Sequence, residues 1–476
     1  MGIRAGISDI VFSIPRLYLP LANRDNPNEP TEFSLSRETD PGKYLYGIGV
    51  ANMSVPDTYQ DPVTLAANSI YELIERNDIR PKDINRIEIG TETSPDKSKS
   101  IGTYVIGALE QKLGKGSLRR CASPEGKSAC AYTAFSLENA LDWIRSGRSN
   151  GKSRIIVATD IAKYALKDGG EPTQGAAAVA VLVEREPDLM EFDDVIGQCT
   201  IDEDSFYRPD FSDVAFVNGK KSEIMYLTAM KEAFDHYKEE ALELGLMNLN
   251  SSEALTDKFD LISFHQPFPK MVQRAYAGLL VHEYRNLPRW KNIVEEIGEE
   301  PRREDFESEI EYQKEDKNFV KRFEKTDLFR KSFKEKVADG QLFGMESGNS
   351  YTVSAWGHNA SMLLLKDKRG EDLAGKRGAI GFFGSGCNAS GQSYVIVDDY
   401  KDVLKRSRLM EKLDNRIDLT LEEYEDLHDP PGKVKKWFRK LIRSSKLHGK
   451  KNYILEPENE FVLTGIENGY RSYKFV

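Results

Sequence analysis

The chain has 476 residues, of which 39% are hydrophobic and 30% charged, and its 67 basic and 77 acidic side chains give a formal net charge of −10. This length predicts two or three domains or a pair of similar halves, because single cores stop growing well below it. The acidic balance argues against general nucleic-acid binding, which needs a basic footprint, but it leaves room for a local basic pocket that binds an anionic ligand.

The cysteine content and the lengths of the apolar runs indicate the cellular compartment in which we expect the protein. The chain has four cysteines, Cys121, Cys130, Cys199 and Cys387. None of them shows a C-x-x-C spacing, which argues against a zinc ribbon and gives no reason to expect a metal. They are too few for a disulfide framework, so we expect a reducing compartment, the cytoplasm. Residues 1–15 lack the continuous apolar run of a signal peptide, and no stretch approaches the roughly 20 apolar residues that span a bilayer.

The first 190 residues alternate strand and helix signals. Asp61-Pro62 is a good helix start, because proline fits the first turn. Strands separated by helices predict an α/β architecture. The strand signals cover residues 7–14, 87–91, 154–159 and 176–183, and the helix signals cover 61–77 and 100–113.

A similar order of elements returns later in the chain. Strand signals at 260–264, 378–384 and 393–398 accompany a helix signal at 269–280. Two halves of like organisation suggest a duplicated fold, although no clear sequence repeat relates them. We place the boundary between residues 188 and 189.

Two charged segments interrupt this pattern. Residues 284–336 are rich in Glu, Lys and Arg, and we interpret them as solvated helices on the outside, with a partner surface as the alternative. Residues 429–432 predict a turn, and the basic run 433–451 predicts an exposed helix face.

Cys130 is the first candidate for catalysis. It precedes an apolar helical run that extends through Trp143, which places it near a helix N-terminus. The helix dipole and free N–H groups there favour a thiolate, which could attack a thioester and hold the acyl group. A buried, inert cysteine is the alternative interpretation of this residue alone.

His265 and Glu92 each follow a predicted strand. A histidine at the carboxyl end of a strand points to the region where α/β folds bind ligands, and a carboxylate in an apolar pocket can act as a general base. A satisfied core histidine and an ordinary loop glutamate are the alternatives. The glycine-rich turns at 169–170, 347–349 and 384–386 let backbone approach a ligand closely, and none of them matches a P-loop or a GxGxxG motif.

Taken together and in order, the motifs of this chain resemble those of the 3-hydroxy-3-methylglutaryl-CoA (HMG-CoA) synthase family, from residue 4 to residue 425. The motifs are Gly90-Thr-Glu92, Asp96-Lys-Ser-Lys99, Ser128-Ala-Cys130, Ala158-Thr-Asp160 with Tyr164, Gly170-Glu-Pro-Thr-Gln-Gly-Ala176, Phe206-Tyr-Arg-Pro209, Phe264-His265-x-Pro-Phe-x-Lys270, Ser347-Gly-Asn349-x-Tyr-Thr352, Phe383-Gly-Ser385-Gly386 and Asp414-Asn-Arg-Ile-Asp-Leu419. The resemblance is weak in the charged segment 284–336 and in about the last 50 residues.

The resemblance implies a thiolase-like fold, with two similar halves in five αβαβα layers, and a homodimer. It implies that Cys130 takes the acetyl group of acetyl-CoA and that Glu92 removes a proton from the acetyl methyl. The resulting nucleophile attacks acetoacetyl-CoA, and His265 binds the acetoacetyl group and helps protonate the new alcohol. The activity belongs to the mevalonate pathway of isoprenoid synthesis, uses no cofactor beyond its coenzyme A substrates, and makes a thiolase a possible partner.

The resemblance also implies the residues that bind substrate. Asn349 would contact the acetoacetyl group, and backbone N–H groups near Cys130 and Ser385 would form an oxyanion hole. Thr173 and Ser222 would line the coenzyme A channel, with Lys270, Arg274 and Lys43 near the phosphates or the pantetheine. Solvated surface charges are the alternative for these basic residues.

This chain departs from the family pattern at Asn218-Gly219, where Asp-Gly is usual, and in the length of segment 284–336. One rival interpretation is a branching enzyme of polyketide assembly that acts on acyl carrier protein, although the acidic surface disfavours carrier docking. A ketoacyl synthase of the initiating type fits Glu92 and His265 less well. A non-catalytic scaffold of the same fold would need none of the three catalytic candidates.

Overall fold

The computed structural model describes residues 2–209, 212, 214–428 and 454–476. Its strands are β1 (Ala5–Ser13), β2 (Leu17–Pro20), β3 (Asn52–Val55), β4 (Ile84–Gly90), β5 (Glu125–Gly126), β6 (Ser153–Ile161), β7 (Ala176–Arg185), β8 (Met190–Thr200), β9 (Phe206–Tyr207), β10 (Phe216–Val217), β11 (Leu261–Phe264), β12 (Arg377–Gly384), β13 (Asn388–Ile396), β14 (Ile417–Asp418), β15 (Phe461–Glu467) and β16 (Tyr470–Phe475). Its α-helices are α1 (Glu32–Ser36), α2 (Pro62–Arg76), α3 (Ile101–Leu113), α4 (Tyr132–Arg145), α5 (Gly219–Glu243), α6 (Pro269–Tyr284), α7 (Trp290–Ile297), α8 (Glu309–Phe323), α9 (Asp327–Lys336), α10 (Gln341–Ser347), α11 (Ser354–Lys368), α12 (Tyr400–Arg406), α13 (Leu409–Asp414) and α14 (Leu421–His428).

The central sheet runs through both halves of the chain. Its strand order is β11-β12-β13-β8-β1-β7-β6-β4-β5. The pairs β4–β6 and β11–β12 are parallel, as expected for strands joined by helical crossovers. A short antiparallel contact between β1 and β8 joins the strands of the two halves, with Gly6 opposite Glu191 and Ile7 opposite Met190.

The helices and the strands of the two halves form five layers, with three buried clusters between them. The middle cluster packs α4 and α11 between the strands of the first half and those of the second half, and there the indole Nε1 of Trp356 donates to the Thr133 hydroxyl at 3.0 Å. The outer clusters pack α2 and α3 on strands of the first half and α5 and α6 on strands of the second half. The predicted thiolase-like αβαβα arrangement is therefore confirmed.

The sequence explains why the central strands lie between two helix layers. Along β7, Val179, Val181 and Val183 face the middle layer, while Ala180 and Leu182 face the outer layer. A strand buried on both faces reads as a continuous apolar run, which is the signal that predicted it.

The charged segment 284–336 is helical, as predicted, but it is not only a solvated surface. Its helices α7, α8 and α9 are amphipathic, and Ile293, Phe319, Phe323 and Phe329 lie almost fully buried against the outer cluster of the second half. The charged residues thus cover an aromatic core.

The last described residues return to the first half of the chain. The hairpin β15–β16 packs on α2 and α3, where the Asp61 carboxylate caps the Thr64 amide at 2.9 Å and also accepts from Arg471 at 3.0 Å and from the Tyr473 hydroxyl at 2.8 Å. The predicted turn at 429–432 and the predicted exposed helix face at 433–451 lie outside the described residues.

Candidate active site

Cys130 lies in a tight loop just before α4. Ala129 precedes it with a left-handed φ of +42°, a conformation that is unfavourable for a residue with a side chain and that clusters at functional sites. Gly384, at the end of β12, lies against this loop, because a Cβ there would be 2.1 Å from the Ser128 carbonyl oxygen and 3.0 Å from the Cys130 amide nitrogen. The fold thus presses the β12–β13 turn onto the candidate nucleophile.

The Cys130 thiol donates a hydrogen bond to Glu92, with 2.6 Å between Sγ and Oε1. Burial, and then the neighbouring carboxylate, raise the pKa of the thiol well above its usual value. The pKa of the thiol therefore shifts in the direction opposite to the one expected for a cysteine near a helix N-terminus. Glu92, which contributes to this shift, approaches from a distant part of the chain.

Glu92 is 7% exposed, and burial is the first reason that its pKa rises to about 8. The nearby charge of Asp160 adds to this rise, while the Cys130 hydrogen bond and the charge of Arg208 oppose it. A carboxyl group with a pKa near neutrality is suited to remove and return protons at physiological pH.

Asp160, at the end of β6, holds the loop that carries Glu92. The Glu92 amide donates to one carboxylate oxygen of Asp160 at 2.9 Å, and the Thr352 amide donates to the other at 3.1 Å. Because Thr352 belongs to the second half, Asp160 joins the two halves at the site. Its other donors are the Thr93 amide and the hydroxyls of Thr91, Thr93 and Thr352.

His265 follows β11, where its amide donates to the Gly381 carbonyl at 2.7 Å. Its Nδ1 lies 2.9 Å from the Ser354 hydroxyl, which donates its own proton to the Tyr351 carbonyl at 2.8 Å. When Ser354 donates to the Tyr351 carbonyl, the tautomer that completes this network has the proton on Nδ1, donated to Ser354, and leaves Nε2 as a proton acceptor. Burial lowers the pKa of His265 to about 3, so the ring is neutral.

The short helical turn Tyr351–Val353 brings the three candidates together. The Tyr351 side chain forms a buried cluster with Cys130, and its carbonyl accepts from the Ser354 hydroxyl that holds His265. Thr352, the next residue, binds the Asp160 carboxylate that fixes Glu92. Both halves of the chain thus contribute to one site.

Two of the predicted substrate contacts lie beside each other. The Asn349 amide donates to the Thr173 carbonyl at 2.8 Å, and its side-chain Oδ1 accepts from the Tyr351 amide at 2.8 Å. Asn349 is 6% exposed, and among the described residues its Nδ2 has no hydrogen-bond partner, so this group is available to a ligand. The Thr173 hydroxyl instead donates to the Gly170 carbonyl at 2.7 Å.

Ser385 and Ser222 lie near the catalytic candidates. Ser385 directly follows Gly384, which touches the Cys130 loop, and is partly buried. Ser222 lies one turn before Tyr226 on α5, and the Tyr226 hydroxyl donates to the His265 carbonyl at 2.7 Å. Residues four apart share a helix face, so Ser222 lies on the side of α5 that faces His265.

Lys270 and Arg274 lie on α6, as the sequence indicates, but both already have partners. Lys270 Nζ lies 3.1 Å from the side-chain oxygen of Gln273, and Arg274 forms an ion pair with Glu223 on α5. Lys317 is also near Glu223, at 3.4 Å. Arg274 would have to share or leave its carboxylate partner to bind a phosphate.

Sequence reasoning gave no role to Asp160, Tyr351 or Ser354. Asp160 had a signal, since it ends a buried strand as Glu92 follows one, but its six donors come from distant segments. Tyr351 and Ser354 owe their importance to contacts with residues far away in sequence.

Neither a metal centre nor a membrane span is found within the described ranges. No group of three or more His, Cys, Asp or Glu side chains there could hold a metal ion. No helix in the same part of the chain combines the length and apolar character needed to cross a bilayer.

Comparison with known proteins gives the family. Residues 13–188 match the family described as hydroxymethylglutaryl-coenzyme A synthase N terminal, and residues 192–473 match its C-terminal counterpart. The hydroxymethylglutaryl-CoA synthase of Haloferax volcanii is 32% identical over 92% of this chain and 93% of its own length. That of Saccharomyces cerevisiae is also 32% identical, over 81% of this chain and 75% of its own length.

Structural comparison agrees with the sequence. The solved structure of MvaS in complex with 3-hydroxy-3-methylglutaryl coenzyme A is 28% identical and covers 100% of both chains, with a TM-score of 0.80. The nucleophile loop, the two family matches and the shared fold lead to one conclusion: the chain belongs to the hydroxymethylglutaryl-CoA synthase family of condensing acyltransferases.

Proposed function

We propose that the protein condenses acetyl-CoA with acetoacetyl-CoA and water to give HMG-CoA and CoA through an acetyl-Cys130 intermediate. The observation that carries this proposal is the hydrogen bond between Cys130 and Glu92, beside a turn that also holds His265. An acyl-transfer site needs a nucleophile with a proton acceptor in direct contact, and this pair provides both.

In the first step Cys130 Sγ attacks the thioester carbonyl of acetyl-CoA. The carbon–sulfur bond to coenzyme A breaks, and the thiol proton passes through Glu92 to the departing sulfur. The Cys130 amide, which lies near Gly384, would donate to the developing oxyanion. Because the thiol rests protonated, it loses its proton only as the new bond forms.

In the second step Glu92 removes a proton from the methyl group of acetyl-Cys130. Acetylation removes the S–H donor that lowers the pKa of Glu92, so the carboxylate becomes a stronger base when it is needed. The resulting enolate carbon attacks the ketone of acetoacetyl-CoA, held by Asn349 Nδ2, and forms the new carbon–carbon bond.

The new alkoxide then needs a proton. His265 Nε2 has none in the substrate-free tautomer, because the proton of the neutral ring is on Nδ1. The proton that Glu92 took from the methyl group supplies it, passing by way of Nε2 to the alkoxide. Water then cleaves the Cys130 thioester, which frees HMG-CoA and restores the thiol.

The setting of this activity forms part of the proposal. The reaction places the protein in the mevalonate pathway, and the thioester supplies its own activation, so neither a metal nor a redox cofactor is required. We also propose a cytoplasmic homodimer, with a thiolase as the partner that supplies acetoacetyl-CoA.

Mass spectrometry of the purified protein after brief exposure to acetyl-CoA tests the intermediate. We expect one acetyl group on Cys130, and HMG-CoA on addition of acetoacetyl-CoA. The same assay with acetoacetylated acyl carrier protein is the control for the branching activity. An acetyl group on another residue, or turnover with the carrier protein alone, would overturn the proposal.

A further inference from the structure

The loop between β6 and β7, residues 162–175, forms one side of the active site. Tyr164, on this loop, lies close to Tyr351, which packs on Cys130 together with Ala162 of the same loop. At the other end of the loop the Thr173 carbonyl accepts from the Asn349 amide. The position of this loop therefore fixes groups around both the nucleophile and the acetoacetyl site.

Gln174 connects this loop to helix α14. It is 4% exposed, its Oε1 accepts from the Tyr164 amide at 2.5 Å, and its Nε2 donates to the Tyr424 hydroxyl at 2.9 Å. One buried amide thus holds both the backbone of an active-site tyrosine and a side chain of α14.

Tyr424 links Gln174 to a buried ion pair. Its hydroxyl donates to Glu171 Oε1 at 3.0 Å, and Arg37 donates to both oxygens of Glu171 at 2.9 and 2.7 Å. The side chains of Arg37 and Glu171 are 6% and 1% exposed. Fully satisfied buried networks of this kind contribute more to a unique geometry than to net stability.

The loop packs so closely against the turn at Gly348 that Gln174 cannot move independently of this turn. Gly348 has a φ of +72°, and a Cβ there would lie 1.8 Å from the Gln174 carbonyl oxygen. Asn349 follows directly and pairs with Gln174 in a bridge between the two segments. A shift of Gln174 would therefore move Asn349 with it.

We propose that Gln174 and Tyr424 are positioning residues for the condensation step, which set Asn349 and Tyr164 by holding loop 162–175 between α14 and the turn at Gly348. The proposal rests on the proposed function, because it assigns Asn349 to the acetoacetyl group. Neither residue touches the reacting atoms, so each acts through the loop.

The test uses two nearly isosteric variants of the full chain. Gln174→Met removes the hydrogen bonds of the amide to Tyr164 and Tyr424 and its contacts with His428 and the Met53 sulfur. Tyr424→Phe removes the hydroxyl but keeps the ring packed near Phe33. The matched control is Tyr237→Phe, which removes a buried hydroxyl that bonds to Ser393 away from the site.

We expect both variants to raise the KM for acetoacetyl-CoA about tenfold, the size of effect that a small misplacement of a binding group produces. The rate of Cys130 acetylation should change much less, and the double variant should be no worse than the poorer single variant. Tyr237→Phe should lower the melting temperature without changing either kinetic value.

The inference is wrong if Gln174→Met and Tyr424→Phe lose thermal stability like the control and keep the wild-type KM for acetoacetyl-CoA. It is also wrong if acetylation falls as much as condensation, since the role would then be structural. Failure of the wild-type protein to form HMG-CoA would instead remove the proposed function on which the inference stands.

Discussion

The Cys130 thiol and the Glu92 carboxyl share a single hydrogen bond in a site where both residues are 7% exposed. The carboxylate makes ionisation of the thiol less favourable, whereas the thiol hydrogen bond favours the ionised carboxylate, so the two titrate as a pair. In the proposed mechanism this pairing keeps the nucleophile protonated until substrate arrives. It would also give one carboxylate two roles, since the group that receives the thiol proton would later take a proton from the acetyl methyl.

Replacing the nucleophile should stop the reaction at its start. We expect Cys130→Ser to form no acetyl-enzyme, because a hydroxyl is a far weaker nucleophile than a thiol. The serine hydroxyl can still donate to Glu92, so the fold should be retained, as measured by thermal melting. Radiolabel from acetyl-CoA that still appears on the serine variant would remove Cys130 from its role.

The Glu92→Gln variant should separate acetylation from condensation. We expect it to accept an acetyl group more slowly than the wild type, because the amide cannot receive the thiol proton, and to condense at least about 100-fold more slowly still, the usual contribution of a positioned general base. Acetyl-Cys130 should accumulate in rapid-quench mass spectrometry. Normal turnover by this variant would eliminate Glu92 as the base.

The same variant should be more stable than the wild type above pH 4.5. The pKa of Glu92 is raised from 4.5 to about 8, so between these values the folded protein retains a proton that the unfolded chain has lost, and wild-type stability falls as pH rises. The gap in melting temperature between Glu92→Gln and wild type should therefore widen up to about pH 8 and then level off. A constant gap would show that Glu92 does not titrate in this window.

The rate of condensation should rise with pH. Glu92 must be ionised to remove the methyl proton, and acetylation removes a hydrogen bond that lowers its pKa, so the controlling pKa should be at or above about 8. The decay of preformed acetyl-enzyme on mixing with acetoacetyl-CoA, followed on both sides of this pH, measures the profile. A rate that falls with rising pH would contradict the assignment.

Gly384 should tolerate no side chain. We expect Gly384→Ala to push the Cys130 loop away, because the new Cβ would overlap the Ser128 carbonyl oxygen, and to slow acetylation about 100-fold. Gly391→Ala on the neighbouring strand is the matched control, since its Cβ would meet nothing closer than 3.7 Å. Equal acetylation rates for the two variants would argue against the loop contact.

Ser354 should matter for condensation and not for acetylation. Ser354→Ala removes the acceptor of the Nδ1 proton of His265, so the ring loses the contact that fixes its tautomer. We expect kcat to fall about tenfold with acetyl-enzyme formation unchanged. A loss of acetylation in this variant would place His265 in the first step.

Local sequence signals predicted most of the elements around the site. Asp61 caps α2 at the predicted start, and the apolar runs at β6 and β7 form central strands. The strand β13 begins at Asn388, earlier than predicted, because its first residues are small or polar and carry little strand signal. The boundary between residues 188 and 189 stays a prediction.

The pKa values and hydrogen bonds of the site were less predictable than the identity of its residues. Glu92, Cys130 and His265 were identified by motif, but the raised pKa of the Cys130 thiol depends first on burial and then on a contact between residues 38 positions apart. The hydrogen bond from Gln174 to Tyr424 spans 250 positions. The spacing of residues along the chain does not indicate which of them are in contact in the folded protein.

The capping carboxylate of Asp61 has a consequence for biosynthesis. Arg471 and Tyr473 are translated 410 and 412 positions after it, so helix α2 can form early but cannot acquire these two hydrogen bonds until then. A nascent chain would therefore carry an uncovered apolar patch on α2 and α3 until the hairpin β15–β16 has been made.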